Sequence, residues 1–319
     1  MILNLHIGNH KTGSTAIQSV LETNQLLLKK SGIIYPHTGK IAGAHHGIVA
    51  SLKEITSESF QKHTNNATTE WRFEELLEQL RLESKGFSEV VISSEEFFNY
   101  ASLNNDKCKI LLAAFDKIKI IVYLRNQIDH IESSYKFSIA WDKEKENRSF
   151  EEYLDVQLNS QYHEYLPTLE YWSSFPNTEV KCVSFDEEKS TLLNSFLYII
   201  NKSNLYSYID TTKVSRNSSP STFETIILKE FKGKEDLNSV KRTLARLANG
   251  QNGNINTLYT FDQFLQIRDK FKKSNEELHQ KYGINLNKHV PNPKDKIFIN
   301  QFNASNAETL QDLITLMLR

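Results

Sequence analysis

Leu3-Asn4-Leu5-His6-Ile7-Gly8-Asn9-His10-Lys11-Thr12-Gly13-Ser14-Thr15-Ala16-Ile17-Gln18 reads as a short buried strand, a glycine-bounded loop and the first turn of a helix. Ile2, Leu3, Leu5 and Ile7 form an apolar run far too short to span a membrane. Gly8 and Gly13 bracket a turn in which backbone can approach a ligand closely, because neither carries a Cβ. Ser14 or Thr15 is expected to cap the helix. A helix start offers unpaired N–H groups and a partial positive charge, which together suit a phosphate or a sulfate. Lys11 adds a full charge, and Thr12, Ser14 and Thr15 add hydroxyls.

The spacing separates this loop from the common triphosphate loop. That pattern, G-x-x-x-x-G-K-[ST], places its lysine directly after the second glycine. Here Lys11 stands two residues before Gly13. An anion loop of this kind has no built-in need for a metal.

The chain has 319 residues and a net charge of −1, enough for a sizeable core and without a global field directed at nucleic acid. Any anion site must therefore be local. Cys108 and Cys182 form no metal-like or redox spacing and read as small core residues of a reducing compartment. No basic-then-apolar leader, membrane helix or repeat is visible, so the sequence reads as a soluble, cytoplasmic protein.

Working outward, Ile17, Val20, Leu21, Leu27 and Leu28 predict one helix over 14–30, stopped by Gly32. Ile33-Ile34-Tyr35 follows as a strand. Strand, helix, strand at this spacing is a βαβ unit with parallel pairing. Gly43-Ala44-His45-His46-Gly47 reads as a loop lining a cleft, with His46 either a substrate-contacting base or an ordinary loop histidine. A helix is predicted over 70–83. Val90-Val91-Ile92 is a buried strand ending in Ser93-Ser94-Glu95-Glu96. Ligands in open α/β sheets bind at the carboxyl ends of strands, which puts Glu95 where chemistry occurs. The same four residues also fit a plain helix start.

The β-branched run 119–124 is the strongest strand signal, and Arg125 closes it. A helix follows, with Ser133 about two turns on. A planar guanidinium and a hydroxyl can clamp a phosphate from two sides. The order G-x-x-K-T-G-S-T resembles the 5′-phosphosulfate loop of sulfotransferases that use 3′-phosphoadenosine 5′-phosphosulfate (PAPS). Strand-Leu-Arg with Ser eight residues later is similar to their 3′-phosphate site, and the intervening strand-Ser-Ser-Glu resembles bacterial members.

Beyond residue 140 the specific motifs stop. Residues 141–148 read as a charged loop, 149–158 as a capped helix, 180–185 as a strand, and 221–232 and 261–281 as helices. The loop 214–220 resembles the late loop of bacterial sulfotransferase-like proteins, which makes Arg216 a candidate for closing over the 3′-phosphate. It departs from the Arg-Lys-Gly form of cytosolic members.

The resemblance implies a single domain over 1–319. Residues 1–200 would form a P-loop-like α/β core, a central parallel sheet flanked by helices, and 201–319 a mostly helical extension. It implies sulfuryl transfer from PAPS, leaving 3′-phosphoadenosine 5′-phosphate (PAP), to a hydroxyl or amine of a sugar or glycan, without a metal. Lys11, Thr12, Gly13, Ser14 and Thr15 would hold the 5′-phosphate, with Lys11 stabilising charge on the leaving oxygen. Arg125 and Ser133 would hold the 3′-phosphate. Glu95 is the first choice of base and His46 the second. A nucleotide kinase or triphosphatase, or a non-catalytic nucleotide- or glycan-binding protein of the same fold, are the alternatives.

Overall fold

A computed structural model of the chain describes residues 1–53, 72–141, 146–212, 219–232, 238–242, 257–296 and 298. These fall into two compact units. The first comprises Met1–Arg125, Tyr165–Arg216 and Gln280–Ile284, and the second comprises Asn126–Glu164, Asn217–His279 and Asn285–Arg319.

The first unit is built on five strands: β1 (Ile2–His6), β2 (Ile33–Ile34), β3 (Glu89–Ser93), β4 (Lys117–Leu124) and β5 (Thr178–Ser184). They pair in the order β2-β3-β1-β4-β5, and every pairing is parallel. Leu3 and Leu5 on β1, Val90 to Ile92 on β3 and Ile120 to Leu124 on β4 are buried without alternation. That is the pattern of strands covered on both faces. The covering helices are α1 (Ser14–Thr23), α2 (Gln25–Lys30), α3 (His46–Lys53), α4 (Phe73–Ser84), α5 (Asp106–Ala113), α8 (Tyr165–Ser173), α9 (Phe185–Glu188) and α10 (Leu192–Ile199). One core cluster joins Ile17, Leu21 and Leu28 to Val91, Ile121 and Tyr123 of the sheet and to Leu192, Phe196 and Leu197 of α10. Cys108 lies in the core, and burial pushes its thiol up to about 11.

The strand order positions the site. From β1 the chain crosses to one side of the sheet, towards β2, and from β4 it crosses to the other, towards β5. β1 and β4 are neighbours. Their carboxyl ends therefore flank a topological switch point, where open α/β sheets form their ligand crevice.

The helix predicted over 14–30 is two helices. Asn24 breaks it: its Nδ2 donates to Val20 O at 2.9 Å and to Asp210 O at 2.9 Å, while its Oδ1 accepts from Asp210 N at 2.8 Å. A side chain tied to a distant segment outweighs the local helical pattern. The stretch after β5 forms two helices, α9 and α10.

The second unit is helical. It contains α6 (Gln127–Ala140), α7 (Phe150–Asn159), α11 (Thr222–Phe231) and most of α12 (Phe261–Tyr282). α7 and α11 both open with complete capping boxes, Ser149 with Glu152 and Ser221 with Glu224. The apolar faces of all four helices meet over Ile128, Ile131 and Tyr135 of α6, Leu154 of α7, Ile227 of α11, and Phe264 and Phe271 of α12. Glu132 is buried here but satisfied, by Lys136 Nζ at 3.0 Å, Leu258 N at 2.9 Å and Thr257 Oγ1 at 3.1 Å.

Candidate active site

The loop between β1 and α1 is held open by backbone that favours glycine. Gly8 has φ +21°, and a Cβ there would stand 2.4 Å from Ser14 Oγ. Gly13 has φ +83°, and a Cβ there would meet Leu192 Cδ2 at 2.4 Å. Lys11 itself is left-handed, with φ 61°. Thr12 is fully buried, and its hydroxyl donates to Asn9 O at 2.6 Å. That proton shapes the loop instead of facing a ligand.

Neither Ser14 nor Thr15 caps α1, contrary to the sequence expectation. Gly13 occupies the cap position in the left-handed conformation, and no side chain caps the helix. The first helical bonds run from Ala16 N and Ile17 N to Gly13 O. The Ser14 hydroxyl turns back under Gly8, where it is buried without a hydrogen-bond partner. A buried hydroxyl left in that state is costly, by about 1–3 kcal/mol, and is the kind of group a ligand oxygen satisfies.

Parallel register brings the Ser93-Ser94-Glu95-Glu96 stretch beside this loop. His6 pairs with Ser93, and Ser94 N donates to His6 O at 3.1 Å. Below the loop, His6 Nδ1 bonds Ser93 Oγ at 2.8 Å, and burial lowers this imidazole to about 4. His10, in the loop, has its Nε2 3.9 Å from Glu96 Oε1, and Lys53 Nζ lies 3.2 Å from Glu96 Oε2. Glu95 receives a hydrogen bond from Gln18 Nε2 at 3.1 Å. Burial works to raise its carboxyl, but His46, His10, its own backbone N–H and Gln18 together hold it below the ordinary range. Glu95 is therefore a carboxylate at neutral pH, in the proton-accepting form.

The two adjacent histidines separate cleanly. His45 is fully buried; its Nε2 donates to Pro36 O at 3.0 Å and its Nδ1 accepts from Ser93 N at 3.1 Å. Burial lowers it to about 3, so it is a neutral structural pin. His46 begins α3 and pairs through Nδ1 with Ser94 Oγ at 2.8 Å, half-buried and close enough to Glu95 to bias its charge.

Arg125 leaves β4 on the other side of β1. Its Nε lies 3.5 Å from Asp186 Oδ1, with no hydrogen bond of proper geometry. Its guanidinium carbon stands 5.8 Å from the Phe185 ring centre. Burial and the Arg125 charge together hold the Lys11 ammonium below the ordinary lysine range. Two cations that disfavour each other beyond the carboxyl ends of neighbouring strands form a natural locus for an anion.

Lys11, Thr12, Gly13, Ser14, Thr15, Glu95, His46 and Arg125 thus belong to the first unit. Ser133 belongs to the second, where its Oγ is 3.3 Å from Ser219 Oγ. Arg216 lies outside the described residues. Among the described residues no group of three or more His, Cys, Asp or Glu is arranged to hold a metal, and no helix is long and apolar enough to cross a membrane.

Against known proteins, the family model described as the sulfotransferase domain matches residues 5–200, which is more than half of the chain. The chain belongs to the sulfotransferase domain family. This sulfotransferase-family chain is 25% identical, over 240 residues, to an uncharacterized protein of Archaeoglobus fulgidus. That alignment covers 70% of this chain and 62% of the archaeal protein, so the chain spans less than two thirds of its relative's length. The crystal structure of a sulfotransferase from Alicyclobacillus acidocaldarius superposes with a TM-score of 0.49 at 13% identity, covering 88% of this chain and 95% of that one.

Sequence reasoning passed over Gln18, His6 and Asp186. Gln18 carried a readable signal: it is a polar residue on the buried face of a helix whose neighbours Ile17, Val20 and Leu21 are core. His6, similarly, is a polar side chain inside an apolar strand. Asp186 had none, because its nearness to Arg125 depends on β5 lying beside β4.

Proposed function

We propose that this protein transfers a sulfuryl group from PAPS to a hydroxyl or amine, with a sugar or glycan as the acceptor class. One observation carries the reading. The loop-to-helix start holds a buried, unpartnered Ser14 hydroxyl and lacks a side-chain cap, in the same unit as Lys11 and Arg125. Those are the donors a phosphosulfate needs. The glycine-only backbone at Gly8 and Gly13 supports close approach of its oxygens.

In this account the Ser14 and Thr15 groups and the adjoining backbone hold the 5′-phosphate, with Thr12 bracing the loop. Arg125 takes the 3′-phosphate. The acceptor oxygen attacks sulfur, the bond from sulfur to the 5′-phosphate oxygen breaks, and its electron pair leaves on PAP. Lys11 stabilises that departing charge. Glu95 accepts the acceptor's proton, with His46 as the neighbouring alternative. A depressed carboxyl is a weak base, so the proton moves late, as the acceptor oxygen bonds to sulfur.

The test is transfer of labelled sulfate from PAPS to a panel of mono- and oligosaccharides and simple amines, with Lys11→Ala alongside. The account expects label in at least one acceptor, and a loss of roughly 100-fold or more for Lys11→Ala. Transfer that survives Lys11→Ala removes Lys11 from the mechanism.

A further inference from the structure

Gln18 lies four residues after Ser14, one turn along the helix that the anion loop starts, a rise of about 6 Å. It is 6% exposed. Its Nε2 donates one hydrogen to Glu95 Oε2 at 3.1 Å and the other to Ser93 Oγ at 3.2 Å. Ser93 Oγ is bonded in turn to His6 Nδ1. A carboxylate oxygen only accepts, so the amide atom facing Glu95 must be the nitrogen, and the orientation of the side chain is settled by its partners.

We propose that Gln18 is a positioning residue, whose amide ties the Glu95 carboxylate to the end of β3 and, through α1, to the donor loop. It rests on the reading of Glu95 as the proton acceptor. The helix acts as a ruler. Its first turn carries the hydroxyls of Ser14 and Thr15, and its second carries the group that orients the base. A neutral amide suits the task better than a cation would. Lysine or arginine at this position would orient Glu95 but depress its basicity further, whereas an amide fixes direction with a smaller effect.

The charge environment of Glu95 agrees. His46 at the start of α3, His10 in the loop, His6 beneath it and Tyr35 after β2 all sense or bias this carboxylate, and Lys53 pairs with the adjacent Glu96. Gln18 is the uncharged side chain among the groups that stabilise the ionised form.

The experiment is carbon-13 NMR titration of the Glu95 carboxyl, assigned by loss of its signal in Glu95→Gln. Wild type is compared with Gln18→Met, which keeps length and removes both donors. PAP affinity is measured by calorimetry on the same samples. The Glu95 midpoint should rise by on the order of one pH unit in Gln18→Met, with PAP affinity within about threefold of wild type. With an acceptor in hand, the acid limb of the kcat profile should rise by the same amount while the KM for PAPS holds. An unmoved Glu95 midpoint, or an acid limb that stays while Glu95 moves, overturns the proposal. Should Gln18→Met fail to fold, Gln18→Glu keeps the shape and sets a second carboxyl against Glu95. One of the pair must then titrate well above 4.5, and an unchanged Glu95 overturns the contact. Absence of PAP binding in wild type would instead refute the donor reading and leave the titration result standing.

Discussion

Acidification from pH 6.5 to 5 should cost this protein about 6 kcal/mol of stability, and histidines rather than carboxylates should be the cause. His6, His45 and His163 are buried to 1% exposure or less. Burial lowers them from 6.5 to about 4, about 3 and about 3 respectively. Each is neutral in the fold, so its contribution is intact above 6.5. As pH falls below 6.5 the unfolded chain takes up a proton that the folded chain refuses, and stability drops until the folded pKa is reached. At pH 5 each site has lost about 2 kcal/mol, at 1.36 kcal/mol per unit. Three sites give about 6 kcal/mol, against a total of roughly 5–15 kcal/mol for a typical protein. Glu95 and Glu146 have depressed carboxyls, so their contribution is present above 4.5 and is lost only below it. The window from 6.5 to 5 thus isolates the imidazoles. Guanidinium unfolding at four pH values across it should show a slope approaching about 4 kcal/mol per pH unit. Proton uptake on unfolding at pH 5 should be near three. His163→Gln should remove about a third of the slope. A stability that stays flat from pH 6.5 to 5 would mean that the three buried imidazoles are not held neutral by the fold.

Four substitutions probe the site. Arg125→Ala should weaken PAP binding by roughly 10–100-fold, the loss of a charge-assisted contact or two, while adenosine 5′-phosphosulfate is barely affected; calorimetry showing equal losses would separate Arg125 from the 3′-phosphate. Glu95→Gln should lower turnover by about 100-fold and leave PAP affinity unchanged; if His46→Ala does so in its place, the proton goes to the histidine. Gly13→Ala forces a Cβ into a left-handed position 2.4 Å from Leu192 Cδ2, which should destabilise by about 2–5 kcal/mol in denaturant unfolding; a cost under about 1 kcal/mol would mean the loop is not held as described.

The parts of the site that could be read from sequence are those encoded by contiguous residues. An apolar run, two glycines, a lysine and paired hydroxyls specify β1, the loop and α1 within sixteen residues. The β-branched run before Arg125 is equally local. What escaped depends on partners far along the chain. Asn24 breaks a good helical pattern because Asp210 is its partner. His45 and His46 are indistinguishable as neighbours in sequence, yet one is pinned between Pro36 and Ser93 and the other faces Ser94. Gln18 and Glu95 meet only because β3 lies beside β1. The cap of α1 was misread for a local reason: Gly13 takes the left-handed conformation, which moves the cap off the hydroxyl residues.

We propose that the first loop and Arg125 recognise a 3′,5′-bisphosphorylated adenosine. Calorimetric titration of the full chain with PAP, beside ATP with and without magnesium, tests it most directly. The account predicts tight PAP binding that does not depend on magnesium, with ATP far weaker under both conditions. Preference for ATP in the presence of magnesium would contradict it.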